Sequence, residues 1–244
     1  MLGTCVHGAG PHTVVMLHDW MGDHRNYDFV LPLLDTEAYR WVFADLRGYG
    51  LSRDLAGSHT LEEAASDVGA LIDTLGPVRL VGHSMSSLVA QQVATERPLE
   101  RLVLVSPVDP TGMKTPKPVV AWLEQVAGDL EARQALAERF AARHGPRWAA
   151  FKLAHWADSA SVEAARGYVR MYSEQTVQGK RPNNDPIGVI LGEHDAEPFE
   201  VASVTAMLKR EWPRAEVRIC PSAGHYPMQE TPPAFAAALH ELLT

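Results

Sequence analysis

Three polar residues, widely separated in the sequence, have the types that nucleophilic catalysis requires. Ser84 lies in G-H-S-M-S at 82–86, Asp195 ends L-G-E-H-D at 191–195, and His225 lies in A-G-H-Y-P at 223–227. A serine hydroxyl is a weak nucleophile near neutral pH, so an adjacent imidazole must take its proton during attack. A histidine, with an ordinary pKa of about 6.5, can accept and return that proton, and a carboxylate can hold its ring in the productive tautomer. These residues predict acyl transfer if folding brings them together.

The segment around Ser84 has the pattern of a strand, a sharp turn and a helix. The apolar run V-R-L-V at 78–81 precedes the turn, and L-V-A-Q-Q-V-A at 88–94 follows it. A nucleophile elbow has this form, because small flanking residues allow the tight turn that exposes the serine hydroxyl above a sheet. An ordinary strand–helix connection with a capping serine has the same short motif. The choice between the two depends on the rest of the chain.

Alternating strands and helices must position these residues, and the sequence predicts such elements. Short apolar runs predict buried strands at 13–17, 41–44, 78–81, 102–105, 187–191 and 217–220, after an edge strand within the first ten residues. Helical patterns cover 61–75, 198–211 and 232–243, with a helix start or helical turn at 27–34. Thr60 and Glu63 form a capping box for the first of these helices. The alternation predicts an α/β fold with a mostly parallel sheet and helices on both faces.

In a parallel sheet, ligands bind beyond the carboxyl ends of the strands. His18, Asp19 and Trp20 follow one predicted strand, and Ser84, Asp195 and His225 each follow another. We therefore expect all of these residues at one edge of the sheet.

The alternation is interrupted between residue 109 and about residue 180. This segment is rich in Ala, Glu, Arg and Trp, and its apolar residues recur at helical spacing. Because it falls between two strands of the predicted sheet, the sequence predicts a helical cap insertion at 109–180. The core domain would then consist of 1–108 and 181–244.

The composition excludes several other classes of protein. The 244 residues carry a formal net charge of −8, with 46% hydrophobic and 21% charged residues, which is ordinary for a globular protein. No run of Lys and Arg offers a nucleic-acid surface, and no apolar run approaches the roughly 20 residues that span a bilayer. The N-terminus has no signal-peptide pattern, so we expect a cytoplasmic protein without membrane attachment. The two cysteines make neither a disulfide framework nor a zinc site.

Five segments, considered together, resemble the α/β-hydrolase superfamily, specifically its smaller esterases, lactonases and perhydrolase-like enzymes with a helical cap. They are L-H-D-W at 17–20, D-L-R-G-Y-G-L-S at 45–52, G-H-S-M-S at 82–86, L-G-E-H-D at 191–195 and A-G-H-Y-P at 223–227. The chain order Ser84, Asp195, His225 is also the order of the triad in that fold. The resemblance covers nearly the whole chain outside the predicted cap.

The resemblance implies a cofactor-independent serine hydrolase that cleaves a carboxylic ester or lactone through an acyl-enzyme. Ser84 would be the nucleophile, His225 the general base and Asp195 the acid that orients it. By the family pattern, the backbone N–H groups of Trp20 and Met85 would bind the oxyanion. No metal or cofactor is implied. A small-molecule substrate with an apolar group is expected from the Trp, Leu and Phe content of the insertion, whereas the oligomeric state is not predicted.

Two positions depart from the family pattern. Asp19 follows His18 where glycine is usual, which adds a side chain and a charge beside the expected oxyanion site. This carboxylate could narrow the site or disfavour an anionic substrate. Ser86 and Ser87 stand where glycines are frequent, but serine is small enough for the turn. We expect Asp19 and His24 to line the substrate pocket.

Three alternatives stay open. Asp109 also follows a strand and could replace Asp195 as the acid. The segment W-M-G-D-H-R-N-Y at 20–27 resembles a loop of cofactor-free heteroaromatic ring-cleaving dioxygenases; in such an enzyme His225 would act as a base on the substrate, without serine acylation. The fold could also serve as a receptor or scaffold, although a pure binding module has no need of all three catalytic residue types.

Overall fold

A seven-stranded sheet forms the centre of the molecule. The computed structural model describes residues 1–141, 143–179 and 186–244. The sheet order is β1-β3-β2-β4-β5-β6-β7, and its strands are Thr4–His7 (β1), His12–Leu17 (β2), Tyr39–Ala44 (β3), Val78–His83 (β4), Arg101–Val105 (β5), Gly188–Gly192 (β6) and Glu216–Cys220 (β7). β1 pairs antiparallel with β3, and the other pairs are parallel. The predicted α/β fold with a mostly parallel sheet and an N-terminal edge strand is confirmed.

Nine α-helices lie within the described ranges. They are Leu61–Leu75 (α1), Met85–Glu96 (α2), Lys117–Val126 (α3), Leu130–Ala141 (α4), Pro146–Trp156 (α5), Val162–Glu174 (α6), Val201–Glu211 (α7), Pro227–Glu230 (α8) and Pro232–Leu243 (α9). α1 packs against α2, and α9 packs against β5, β6 and β7. No helix of these ranges combines the length and apolar character needed to cross a bilayer.

The parallel register places the carboxyl ends of four strands side by side. Leu17 at the end of β2 pairs with Gly82 of β4, and His83 at the end of β4 pairs with Val105 of β5. Val105 in turn pairs with Ile190 of β6. The loops that leave these strands therefore emerge at one edge, as predicted for a parallel sheet.

α1 shows how local sequence sets an element boundary. The Thr60 hydroxyl accepts a hydrogen bond from the Glu63 N–H at 3.2 Å, which satisfies one of the free N–H groups of the first turn. At the other end Gly76 has φ of 82°, a conformation that glycine adopts without steric cost. Both boundaries agree with the prediction.

One predicted element is present in a tighter form, and one predicted boundary differs from the structure. The helix start or helical turn expected at 27–34 consists of two short 3₁₀ helices, His24–Tyr27 and Leu31–Leu33. Pro32 lacks an N–H group, so it cannot continue an α-helical hydrogen-bond pattern there. α7 begins at Val201 and not at residue 198, because a turn closed by the Phe199 N–H and the Ala196 carbonyl occupies the preceding residues.

Four helices, α3 to α6, lie between β5 and β6, and the described part of this connection contains no strand. This helical content agrees with the predicted insertion. Its predicted boundary at 180/181 lies outside the described residues, and the division into core and cap stays a prediction.

Gly192, the last residue of β6, allows a close approach to the loop that carries His225. A Cβ atom at this position would lie 1.9 Å from the Gly224 carbonyl oxygen. We predict that Gly192→Ala lowers the free energy of unfolding by about 1–3 kcal/mol, because a backbone atom must move to relieve the overlap. Urea unfolding of the purified variant measures this loss.

Gly128→Ala is the matched control. A Cβ there would meet the end of the flexible Arg166 side chain at 3.0 Å and the Val162 Cγ1 at an ordinary contact distance of 3.4 Å. The change in unfolding free energy should therefore stay within about 0.5 kcal/mol. Equal destabilisation by the two substitutions would contradict the steric explanation.

Candidate active site

Ser84 occupies a strained turn between β4 and α2. Its φ of 51° and ψ of −118° lie where a residue with a side chain is rarely found, and such strain is characteristic of functional sites. The Ser84 N–H donates to the Val105 carbonyl at 2.8 Å, which fastens the turn to β5. A Cβ at Gly82 would lie 2.6 Å from the Ser86 carbonyl oxygen and 2.8 Å from the Ala90 Cβ. The backbone here has the form expected of a nucleophile elbow.

His225 connects Ser84 to Asp195 through both of its ring nitrogens. Its Nε2 lies 2.9 Å from the Ser84 Oγ, and its Nδ1 lies 2.9 Å and 3.1 Å from the two Asp195 oxygens. Because a carboxylate accepts hydrogen bonds, Nδ1 carries the proton and Nε2 is free to accept from the serine hydroxyl. Burial opposes protonation, but the charge and hydrogen bond of Asp195 raise the pKa of His225 overall. The structure thus brings the three predicted residues together in one hydrogen-bonded series.

Asp195 is surrounded by hydrogen-bond donors. Besides His225, it accepts from the Ser106 hydroxyl at 2.7 Å and from the Ala196 N–H at 2.8 Å. Burial works against ionisation, but the charge of His225 and these hydrogen bonds lower the pKa of Asp195 overall. Sequence reasoning did not identify Ser106, although it directly follows β5 just as other residues of the site follow their strands.

Asp109, the alternative acid, has other partners. Its carboxylate accepts from the Thr111 hydroxyl at 2.7 Å and pairs with Arg210. Since Asp195 and not Asp109 is hydrogen-bonded to His225, the geometry favours Asp195.

Two backbone N–H groups beside Ser84 are available to a ligand. Among the described residues, neither the Trp20 N–H nor the Met85 N–H donates a hydrogen bond. Met85 is the first residue of α2, where N–H groups have no partner inside the helix and the helix dipole favours negative charge. These are the two groups that the family resemblance implied as oxyanion donors.

The loop that carries Trp20 is held from several directions. The His18 Nδ1 donates to the Asp19 carbonyl at 2.8 Å, and the His18 Nε2 accepts from the Leu46 N–H at 3.0 Å. The Trp20 indole N–H donates to the Ala165 carbonyl of α6 at 2.8 Å. His18 therefore organises the loop, and the Trp20 indole fastens the loop to α6.

Asp19 is buried at the wall of the site, with 2% of its surface exposed. Its Oδ2 accepts from the Tyr226 hydroxyl at 2.7 Å, and its Oδ1 accepts from the Asn26 amide at 2.5 Å. Gly22 provides the space, because a Cβ there would lie 2.2 Å from the Asp19 Oδ1. Asp19 stands where glycine is usual in the family pattern, and the glycine at position 22 leaves room for its side chain.

Lys152 of α5 is a second buried charge that sequence reasoning did not identify. Its ammonium lies 3.5 Å from the centre of the Tyr226 ring, with the Trp156 ring at 5.2 Å, and donates to the Gln229 Oε1 at 3.1 Å. Burial lowers the pKa of Lys152 to about 8, although nearby carboxylates oppose the shift. A lysine on a helix is usually solvated, and the packing of α5 against the core is what buries this one.

The side chains at positions 23–25 form hydrogen bonds with other side chains of the protein. Asp23 accepts from Arg25 at 2.6 Å and from the His155 Nε2 of α5 at 2.9 Å. The His24 Nδ1 donates to Asp45 at 2.7 Å. His24, expected in the substrate pocket, is not part of the cavity lining within the described residues.

A mostly apolar cavity lies beside Ser84 and His225. Asp19 and Trp20 form part of its wall, and each of the helices α3 to α6 contributes apolar side chains: Leu123, Leu136, Phe140, Trp156 and Tyr172. Helical spacing predicted the existence of these helices, but only their packing shows which faces reach the cavity.

His83 supports the loop of His225 through the backbone. Its Nε2 donates to the His225 carbonyl at 2.8 Å. Burial lowers the pKa of His83 to about 4, so the ring is neutral at neutral pH. Its role is structural, because its hydrogen bond holds the backbone of the His225 loop.

Comparison with known proteins places this chain within one family. The profile described as "Alpha/beta hydrolase family" matches residues 5–238. The solved structure of an esterase (EaEST) from Exiguobacterium antarcticum superposes with a TM-score of 0.86, covering 99% of this chain and 95% of that chain at 20% identity. At this level of identity the superposition shows a shared fold.

Two curated relatives each match less than half of the chain. The dihydrolipoyllysine-residue acetyltransferase component of the acetoin cleaving system of Cupriavidus necator is 39% identical over 108 residues, covering 43% of this chain and 28% of that protein. The 2-heptyl-3-hydroxy-4(1H)-quinolone dioxygenase of Mycobacteroides abscessus is 32% identical over 122 residues, covering 49% of this chain and 45% of that protein. The chain spans less than two thirds of the length of these relatives.

The buried His83 predicts an acid-sensitive component of stability. Between the ordinary pKa of 6.5 and the folded pKa of about 4, the unfolded chain binds a proton at this residue that the folded chain does not. Stability should therefore fall as the pH decreases through this range, by about 1.4 kcal/mol per pH unit for that proton. His83→Gln keeps an N–H donor for the His225 carbonyl and removes the titration.

Urea unfolding at several pH values between 4.5 and 7 measures the effect. We expect the acid-side slope of the variant to be shallower than that of the wild type by about one proton. Parallel curves for the two proteins would contradict the assignment of a neutral, buried His83.

Proposed function

The chain belongs to the alpha/beta hydrolase family, and on this basis we propose that it is a cofactor-independent serine hydrolase that cleaves a carboxylic ester or lactone through an acyl-enzyme. One observation carries the proposal. Ser84, His225 and Asp195 form a continuous hydrogen-bonded series beside a mostly apolar cavity. Such a series is what activation of a serine hydroxyl requires.

In the first half-reaction, the Ser84 Oγ attacks the carbonyl carbon of the substrate while the His225 Nε2 takes the hydroxyl proton. Asp195 accepts the Nδ1 proton in a hydrogen bond throughout, which keeps the ring in the correct tautomer and stabilises the imidazolium that forms. Collapse of the tetrahedral intermediate returns the proton from His225 to the leaving alkoxide and leaves an ester on Ser84.

The negative charge of the intermediate needs donors that are already in place. The N–H groups of Trp20 and Met85, which donate no hydrogen bond among the described residues, suit this role because no existing bond has to break as charge develops on the carbonyl oxygen. Donors of this kind each contribute about 10²–10³-fold in rate in comparable sites. A water molecule, deprotonated by His225, then hydrolyses the acyl-enzyme by the reverse sequence of proton transfers.

The helices α3 to α6 would act as a cap, since each contributes a side chain to the cavity. Their apolar residues favour a small-molecule substrate with an apolar acyl or alcohol group. The predicted insertion at 109–180 is part of this proposal.

Replacement of the nucleophile tests the proposal directly. Ser84→Ala should lower kcat/KM for p-nitrophenyl acetate by roughly 10³-fold or more, because no other group takes over attack on the carbonyl. A fluorophosphonate probe should label wild-type protein on Ser84 and fail to label the variant.

Ser173→Ala is a matched control, since Ser173 is also buried and its hydroxyl has no hydrogen-bond partner among the described residues. This variant should keep both hydrolysis and labelling. Turnover retained in Ser84→Ala would refute the acyl-enzyme, and folded wild-type protein that resists the probe would revive a receptor or scaffold role.

A second candidate function is a cofactor-free ring-cleaving dioxygenase. The similarity to the quinolone dioxygenase of Mycobacteroides abscessus and the dioxygenase-like segment at 20–27 favour it. In this reaction His225 would remove the proton from a hydroxyl group of a heteroaromatic substrate, and the resulting anion would react with O₂. Ser84 need not be acylated.

The two functions respond differently to the same substitutions. In an oxygen-electrode assay with a 3-hydroxy-4-quinolone, a dioxygenase should lose activity in His225→Ala but retain part of it in Ser84→Ala. A serine hydrolase should consume no oxygen and lose ester hydrolysis in both variants. Oxygen uptake that survives Ser84→Ala would establish the second candidate.

A further inference from the structure

The wall of the cavity carries one carboxylate among its described residues, Asp19. It directly precedes Trp20, whose N–H group is one of the two proposed oxyanion donors. The imidazole of the wall, His225, belongs to the hydrogen-bonded series, and burial raises the pKa of the wall's two tyrosines, Tyr172 and Tyr226, so both are neutral near pH 7. A substrate in this cavity would therefore lie next to the charge of Asp19.

The surroundings of Asp19 hold it ionised. Burial alone would favour the neutral acid. The charge of His83, which is protonated at the low pH where Asp19 titrates, the ammonium of Lys152 and the hydrogen bonds from Tyr226 and Asn26 outweigh burial and lower the pKa of Asp19 overall. Both carboxylate oxygens already accept a hydrogen bond, so the group is fixed in position as well as in charge.

The compensating cation does not reach the cavity. Lys152 is fully buried and lies over the face of the Tyr226 ring, and Tyr226 itself forms part of the cavity wall. An aromatic side chain thus separates the ammonium from a substrate, whereas Asp19 lies in the wall. The cavity wall therefore carries the negative charge of Asp19 but not the positive charge of Lys152.

Within the proposed hydrolase function, on which this inference rests, we propose that Asp19 determines the charge selectivity of the site. The site takes neutral acyl groups and rejects acyl groups that bear a carboxylate. For a substrate carboxylate roughly 7 Å from that of Asp19, repulsion at an effective dielectric constant of about 20 corresponds to a discrimination of about 50-fold. Asp19 acts here on the substrate's charge and performs no step of the reaction.

Two esters of equal acyl length test the proposal. p-Nitrophenyl valerate is neutral, and the mono-p-nitrophenyl ester of glutaric acid carries a terminal carboxylate. The readout is the ratio of kcat/KM for the neutral ester to that for the anionic ester, measured on the same enzyme sample. This ratio does not depend on the fraction of folded protein, so a loss of folded enzyme leaves it unchanged.

Asp19→Asn should lower this ratio by about 10- to 50-fold relative to the wild type. The amide has the shape of the carboxylate and can still accept from the Tyr226 hydroxyl. Intrinsic reactivity differences between the esters cancel, because the ratio is compared between enzymes. If the single variant does not fold, the double variant Asp19→Asn/Lys152→Met removes both buried charges together and should lower the ratio to the same extent.

Asp109→Asn is the control for net charge. Asp109 is also partly buried but pairs with Arg210 and is not part of the wall of this cavity, so its substitution should leave the ratio within about twofold. A folded Asp19 variant with the wild-type ratio, or an equal shift in Asp109→Asn, would overturn the proposal.

The test separates this inference from the proposed function. If the wild type hydrolyses the valerate ester in a Ser84-dependent manner but Asp19→Asn leaves the ratio unchanged, only the charge selectivity is wrong. If the wild type hydrolyses neither ester and Ser84 resists a fluorophosphonate, the hydrolase function fails and the selectivity fails with it.

Discussion

The bridging position of His225 is the constraint on which the candidate site depends. Its ring is almost fully buried and must bind Ser84 at one nitrogen and Asp195 at the other. The three residues come from loops after β4, β6 and β7, so their distances follow from the parallel sheet and its strand order. Smaller contacts refine this arrangement. The Val105 carbonyl fastens the turn at Ser84, and a glycine at the end of β6 allows the His225 loop to approach.

The site also buries two pairs of ionisable groups, and Tyr226 connects the two members of one pair, Asp19 and Lys152. An unpaired charge removed from water is strongly unfavourable, so each buried ion needs partners. Asp195 and His225 satisfy one another, whereas Asp19 and Lys152 are joined through Tyr226, whose hydroxyl donates to the carboxylate and whose ring lies under the ammonium. Because Lys152 belongs to α5, its contacts with Tyr226 and Gln229 join that helix to the segment after β7.

The same geometry could support either of two reactions, since a base at His225 serves both. What favours a hydrolase is the serine in its strained turn, together with the Trp20 and Met85 N–H groups, which donate no hydrogen bond among the described residues and suit an oxyanion. The dioxygenase-like segment at 20–27 has less bearing on the choice. Its Asp23, His24 and Arg25 side chains bind Asp45, His155 and one another. The resemblance of this segment to dioxygenases is therefore explained by the hydrogen bonds that hold the loop as well as by any reaction in the cavity.

The sequence by itself determined the strand–helix alternation, the turn at Ser84 and the identity of Asp195 and His225 as its possible partners. These features are local, because apolar periodicity, capping residues and glycine-containing turns act over a few neighbouring residues. It could not exclude Asp109, place His24 outside the cavity, or reveal Ser106 and Lys152. Those outcomes depend on contacts between distant segments: Arg210 engages Asp109, Asp45 engages His24, and the packing of α5 buries Lys152. Only the tertiary structure decides which polar side chains face one another, because hydrogen bonds and ion pairs depend on separation in space and not along the chain.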